Sequence, residues 1–332
     1  MRRAAILLAG VAAVLMAATG CGGVNEAGAE GDSEVSLIAY STPREVYEDL
    51  IPAFQETAAG RGVSFQQSYG SSGEQSRAVE AGLPADVVAL SLEPDVTRLV
   101  EAGLVAPDWA EDEYAGMVSR SVVVLAVRKG NPKGIRGWDD LVRDGVEVIT
   151  PNPFTSGGAR WNVMAAYGAM LEQGRSGEQA VEFLRTLFRH VSVQDKSARD
   201  SLQTFFGGKG DVLIAYENEA ITAQQKGEEL DYVIPDQTIL IENPVAVTKD
   251  GSESARAFVD YLRSPAAQRV FGEKGYRPVR DDVAAASSYP APAALFTIAK
   301  LGGWPEVQKR FFDREDGIMA GIQRELGEPV DD

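Results

Sequence analysis

A regular exchange of short β-rich runs and amphipathic segments constrains this chain more than any other feature. Val35-Ser-Leu-Ile-Ala-Tyr40 precedes a helical pattern over 45–57, and Val63-Ser-Phe-Gln-Gln67 precedes one over 73–81. Strand, helix, strand in that order implies βαβ units, hence an α/β fold with a mainly parallel sheet flanked by helices. Further strands are expected at 85–90, 121–127, 146–150, 211–216 and 245–248, and further helices over 159–171, 177–188 and 252–262. With 332 residues, 44% of them hydrophobic, the chain can bury two cores of ordinary domain size, so two lobes are expected.

Ser121-Val-Val-Val-Leu-Ala-Val127 is an almost unbroken apolar run, ended by the turn-forming Arg128-Lys-Gly-Asn-Pro132. Asn243-Pro-Val-Ala-Val-Thr248 is a second such punctuated strand. A chain that crosses twice between lobes would do so about here, leaving 35–126 with 244–332 as lobe I and 127–243 as lobe II. Ligands of open α/β sheets sit beyond the carboxyl ends of the strands, which makes the interlobe cleft the expected site.

The N-terminus carries an address. Arg2-Arg3, an apolar run over 4–18 and Thr19-Gly20-Cys21 have the charged, apolar and small-residue zones of an export signal. The single cysteine stands where a bacterial lipoprotein signal would put it, so 1–20 reads as the signal and Cys21 as the lipidated first residue of the mature chain. Ala18, where that motif usually has Leu, is a departure, and ordinary secretory cleavage is the alternative. From 21 to 34 the chain turns to Gly, Ala, Glu and Asp and reads as a flexible tether. The expected location is the outer face of the cytoplasmic membrane.

Charge narrows the partners. The formal net charge of −17 becomes −19 once Arg2 and Arg3 leave with the signal, which argues against nucleic acid. Any captured anion must then be held by local donors, which helix N-termini supply. Four turns rich in Ser, Thr or Gly stand between expected strands and helices: Tyr40-Ser-Thr-Pro-Arg-Glu45, Tyr69-Gly-Ser-Ser-Gly-Glu-Gln75, Asn152-Pro-Phe-Thr-Ser-Gly-Gly-Ala-Arg160 and Asp195-Lys-Ser-Ala-Arg-Asp-Ser201. Ser41 or Thr42 could cap a helix ahead of Pro43, and Ser72 offers a hydroxyl. Any one turn alone reads as plain capping; four converging would make an anion site.

The remaining reactive residues take plainer roles. With one His and one Cys a soft-metal site is not expected, and His190 reads as a helix C-terminal residue. Glu217 and Glu219, placed at a strand end, lack a nucleophile or metal partner nearby in sequence. Arg44, Arg160 and Arg199 are expected to brace loops by pairing with Glu45, Glu217 or Asp200. Trp161 and Phe183 read as helix core, and 328–332 as a solvated, frayed tail. No Walker-type loop or zinc spacing appears and a Ser-His-Asp set would need His190, so neither catalysis nor a cofactor is expected.

Val148-Ile-Thr-Pro-Asn-Pro-Phe-Thr-Ser-Gly-Gly-Ala-Arg-Trp-Asn162, Val127-Arg-Lys-Gly-Asn-Pro132, Gly210-Asp-Val-Leu-Ile-Ala-Tyr-Glu-Asn-Glu-Ala220 and Tyr276-Arg-Pro278 resemble the sulfate- and thiosulfate-binding proteins of ABC importers, over about 36–279. The resemblance implies a two-lobed, type II periplasmic binding protein fold joined by two crossover strands. It implies a monomer that holds a dehydrated dianion by neutral donors and delivers it to the importer's permease subunits. By resemblance, Ser156 donates through hydroxyl and backbone, Gly157, Gly158 and Ala198 through backbone N–H, and Ser72 from the opposite lobe. Ser41 stands where the family often has Asp, and Tyr216 where it often has an indole-bearing Trp.

Sulfate is expected over phosphate because phosphate near neutral pH carries a proton that needs an acceptor, whereas these loops offer donors. Asp195 and Asp200 keep phosphate open, and molybdate or tungstate differ from sulfate chiefly in size. A ferric site would need paired tyrosines, and only Tyr216 stands where one is wanted.

Overall fold

The computed structural model describes residues 33–286 and 289–330. The expected signal, Cys21 and the tether up to residue 32 lie outside the described residues; Ser33 and Glu34 already belong to the first strand. The first part of the chain builds β1 (Ser33–Tyr40), α1 (Arg44–Gln55), β2 (Val63–Gly70), α2 (Ser72–Glu80), β3 (Val87–Ala89), α3 (Glu93–Glu101) and β4 (Met117–Arg128). The middle builds β5 (Val148–Ile149), α4 (Gly157–Glu172), α5 (Gly177–Arg189), β6 (Val191–Val193), α6 (Ala198–Phe206), β7 (Val212–Tyr216), α7 (Glu217–Gln225), β8 (Leu230–Val233) and β9 (Gln237–Val247). The last part builds α8 (Glu253–Leu262), α9 (Pro265–Glu273), α10 (Asp281–Ala284), β10 (Ala294–Phe296), α11 (Gly303–Val307) and α12 (Ile318–Leu326).

Among the described residues the strands run in the order β2-β1-β3-β9-β4-β7-β5-β6, with β10 on β9 and β8 on β4. β1 lies parallel to β2 and β3, and β5 parallel to β6 and β7, as the βαβ pattern predicts. β4 and β9 are antiparallel to each other and serve both halves. β9 pairs with β3 through Val245–Val247 and with β4 through Leu240–Pro244, while β4 continues as Val123–Val127 against β7. The stretch shared by the two halves is therefore 117–122 with 240–244. Both strands start earlier than expected; in β9, Asn243 and Pro244 read as punctuation although the Asn243 side chain is buried and bonded inside the sheet.

Among the described residues the apolar side chains are buried in separate clusters. Leu37, Tyr47, Leu50, Phe54, Phe258 and Phe271 form the core under α1, α8 and α9. Val148, Trp161, Met164, Leu184 and Ile214 belong to another cluster, which also takes in Tyr40 and Leu92. Helix α4 is buried on nearly every side from Gly157 to Met170, so it lacks the polar stripe of a surface helix. Burying a large apolar side chain such as Met164 contributes about 1.5–3 kcal/mol.

The C-terminal segment departs from the expected assignment of all of 244–332 to lobe I. Phe296, Trp304, Phe311 and Ile322 join the core of Trp161, with Trp161 and Trp304 edge-on at 4.8 Å and Tyr167 and Phe311 at 4.7 Å. These apolar side chains need a covered surface, and α4 and α5 supply it. The tail reading also changes: Asn152 Nδ2 donates to the Pro329 carbonyl (3.0 Å) and Val330 packs on the same core, so 328–330 is docked rather than frayed.

Candidate functional site

Helices α2, α4 and α6 begin at turns singled out in the sequence, and the first N–H groups of any helix have no partner inside it. Side-chain caps satisfy the third residue only: Ser156 Oγ accepts from Ala159 N (3.3 Å), and Ser197 Oγ from Asp200 N (3.2 Å). The amides of Gly157, Gly158 and Ala198 stand in the uncapped first positions. These helix starts meet. A Cβ placed on Gly158 would lie 3.4 Å from Ser156 Oγ, 3.6 Å from Ala198 Cβ and 3.6 Å from Tyr216 Cε1. On Gly73, at the start of α2, it would lie 3.0 Å from the Thr155 carbonyl oxygen. The structure thus brings Ser156, Gly157, Gly158, Ala198 and Tyr216 to one place, with α2 abutting from the opposite half.

Tyr216 does not present a spare hydroxyl. Its OH shares a 2.8 Å hydrogen bond with Ser91 Oγ, in the loop between β3 and α3. Ser91 N donates to Ser72 Oγ (2.9 Å), and the Ser91 carbonyl accepts from Trp161 Nε1 (2.9 Å) and Asn243 Nδ2 (3.0 Å). The expected Ser72 hydroxyl is likewise engaged, because it donates to Asp95 Oδ2 at 2.5 Å. Its neighbour Ser71, 4% exposed, carries a buried hydroxyl that has no hydrogen-bond partner among the described residues, as do Tyr40 and Tyr276. Ser71 and Ser72 differ in this because adjacent side chains at a helix start point in different directions.

Ser41 sits at the end of β1, buried, beside a cleft of about 230 Å³ that is also lined by Tyr69, Ser71, Lys196, Ser197 and Arg199. Neither Ser41 nor Thr42 caps α1; Pro43 takes that position without a side-chain bond. Across the cleft Arg199 donates to Glu45 (2.5 Å) and to the Ser41 carbonyl (3.4 Å), and Lys226 pairs with the other Glu45 oxygen (2.5 Å). Burial alone would raise the Glu45 pKa, but the two cations outweigh it and hold the carboxyl at about 2.

The other carboxylates near the site are occupied. Asp195 accepts from Ser201 and Thr204 (3.0 Å each), and Asp200 from Ser197 (2.7 Å). Glu217 and Glu219 open helix α7 rather than ending a strand. Fully buried Glu217 pairs with Arg277 at 2.9 Å, and burial still pushes its carboxyl up. Glu219 accepts from Tyr216 N (3.3 Å), and burial pushes it up to about 7. Arg199 braces Glu45 as expected, but Arg160 donates instead to the Pro153 carbonyl (2.8 Å) and Gln308 (3.0 Å), and Arg44 lies over the Tyr69 ring. His190 caps α5 with Nδ1 3.1 Å from the Val146 carbonyl. The Tyr40 and Tyr276 phenols are driven well up by burial.

Sequence reasoning missed Ser91. The one signal for Ser91 was a hydroxyl standing directly after an expected strand, between Leu90 and Leu92. The assembled groups are amides and hydroxyls at helix beginnings, a set suited to holding an anion by hydrogen bonds.

The profile of the bacterial extracellular solute-binding protein family matches residues 35–277. The chain is 43% identical over 316 residues to the sulfate-binding protein of Synechococcus elongatus, covering 90% of each chain. It is 36% identical over 293 residues to the thiosulfate-binding protein of Pseudomonas aeruginosa, covering 83% of this chain and 88% of that one. Among solved structures, the sulfate-binding protein SubI from Mycobacterium tuberculosis superposes with a TM-score of 0.82 at 45% identity, over 85% of this chain and 100% of SubI.

Proposed function

The chain belongs to the bacterial extracellular solute-binding protein family, and from that premise we propose that it is the extracytoplasmic receptor of an ABC importer for sulfate, with thiosulfate as the near alternative. The observation that carries the reading is the meeting of Ser156, Gly157, Gly158 and Ala198 at two helix N-termini, opposite the start of α2. A dianion there receives neutral donors, while Asp95, Asp195 and Asp200 already accept hydroxyls and Glu45 is neutralised by two cations. Each hydrogen bond to a charged group contributes about 1.5–3 kcal/mol net, so several offset the cost of stripping water from the ion.

In this reading the halves swing about β4 and β9, close over the guest, and present a joined surface to the permease subunits. The protein acts by binding, as a monomer, and Cys21 carries the lipid that keeps it at the membrane. Calorimetric titration of the purified protein with sulfate, thiosulfate, phosphate and molybdate tests the cargo. Sulfate or thiosulfate should bind most tightly; tighter binding of molybdate or phosphate would overturn the assignment. Hydrolysis of a sulfate ester, abolished by Ser156→Ala, would overturn the non-catalytic reading.

A further inference from the structure

We propose that Ser91 is the latch of the closed protein, the residue through which the half built on β1 and β3 holds the half built on α4 and β7 shut over its cargo; the inference rests on the binding reading above. Ser91 is 1% exposed, and its amide, carbonyl and hydroxyl are all bonded. Ser72, from its own half, fixes the Ser91 N–H. Asn243, from the strand shared by both halves, fixes the carbonyl from one side. The other two partners come from across the cleft: Trp161 Nε1 on α4 bonds the carbonyl, and Tyr216 OH at the end of β7 bonds Oγ.

The same serine lies flush against the anion cradle. A Cβ on Gly157 would stand 2.9 Å from Ser91 Cβ and Oγ, so the cradle's first amide and the latch are in contact. Separating the halves must break the Trp161 and Tyr216 bonds together and wet the buried polar groups that make them. The Arg199–Glu45 and Lys226–Glu45 pairs also cross the cleft, but the cationic partners are 29% and 53% exposed, where salt screens them. Ser91 is closed off from solvent and escapes that screening.

A latch resists opening and leaves encounter alone, which separates it from a residue that merely supports the fold. Sulfate association and release should be followed by stopped-flow fluorescence on the wild type, Ser91→Ala, Tyr216→Phe and the double variant. Each single change should speed release about 3- to 10-fold, the worth of one buried hydrogen bond, with association within about twofold of wild type. The double variant should release no faster than the faster single variant, because both remove the same bond. Raising the salt concentration should leave the ratio of variant to wild-type release unchanged. Unchanged release, a loss confined to association, or multiplied effects in the double variant would overturn the latch.

Failure of the wild type to bind sulfate would instead overturn the cargo reading. The latch would then be judged by small-angle scattering on the ligand-free proteins. A larger radius of gyration shared by the three variants would support it, and radii equal to wild type would overturn it.

Discussion

Gly157 and Ser91 approach so closely across the cleft that no side chain fits between them: a Cβ on Gly157 would lie 2.9 Å from two Ser91 atoms and 2.8 Å from Leu92 Cδ2. Gly157→Ala should therefore hold the halves apart and weaken sulfate binding by at least about tenfold, since values below contact distance force a backbone shift. Gly158→Ala, whose Cβ would meet nothing nearer than 3.4 Å, should cost less. Isothermal titration of both variants checks the order, and an equal or reversed loss contradicts the packing argument.

Ser156 has two duties that can be separated. Its hydroxyl caps α4 and, in the proposed reading, donates to the anion. Ser156→Ala should lose about 1 kcal/mol of stability and at least about tenfold in sulfate affinity. Ser156→Gly, which keeps most of the capping preference, should retain stability to within a few tenths of a kcal/mol yet lose the same affinity. Urea denaturation beside calorimetry distinguishes the two effects.

Two buried carboxyls give the stability opposite pH slopes. Glu45, held at about 2 against an ordinary 4.5, contributes stability that is present above 4.5 and lost as the pH falls toward 2. Glu219, pushed up to about 7, is protonated more readily folded than unfolded, so stability falls as the pH rises from 4.5 through 7. The optimum of these two terms lies near pH 4.5 to 5. Glu219→Gln should flatten the neutral limb and leave the acid limb in place, as read from urea midpoints across a pH series.

Arg277 holds the fully buried Glu217 and also bonds the Pro290 carbonyl. Arg277→Ala strands that carboxyl and should cost about 3–5 kcal/mol. Adding Glu217→Gln should recover part of the loss, because an amide is cheaper to bury than a charge. Thermal denaturation of the single and double variants tests this; no recovery would mean that Arg277 acts through the Pro290 contact.

What could be read in the chain before its structure depends on how local the signal is. Ser156, Gly157 and Gly158 were legible because a cap and two glycines stand side by side at a strand-to-helix junction. Ser91 was not, because its importance comes from Tyr216, Trp161 and Asn243, at separations of 70 to 152 residues. That the Ser72 hydroxyl is bonded to Asp95 while that of Ser71 is not lies in side-chain direction, which neighbouring identical residues cannot encode. The early start of β9 was hidden by a buried Asn243 that mimics a turn residue.

The pairing of β4 with β9 has a consequence for how such receptors diversify. Its ladder is made from main-chain groups, whose bonding does not depend on which side chains the loops carry. In the proposed reading, substitutions at the mouths of α2, α4 and α6 therefore alter which guest is welcomed while the β4–β9 ladder stays as it is. On that reading selectivity and mechanical action reside on separate parts of the chain.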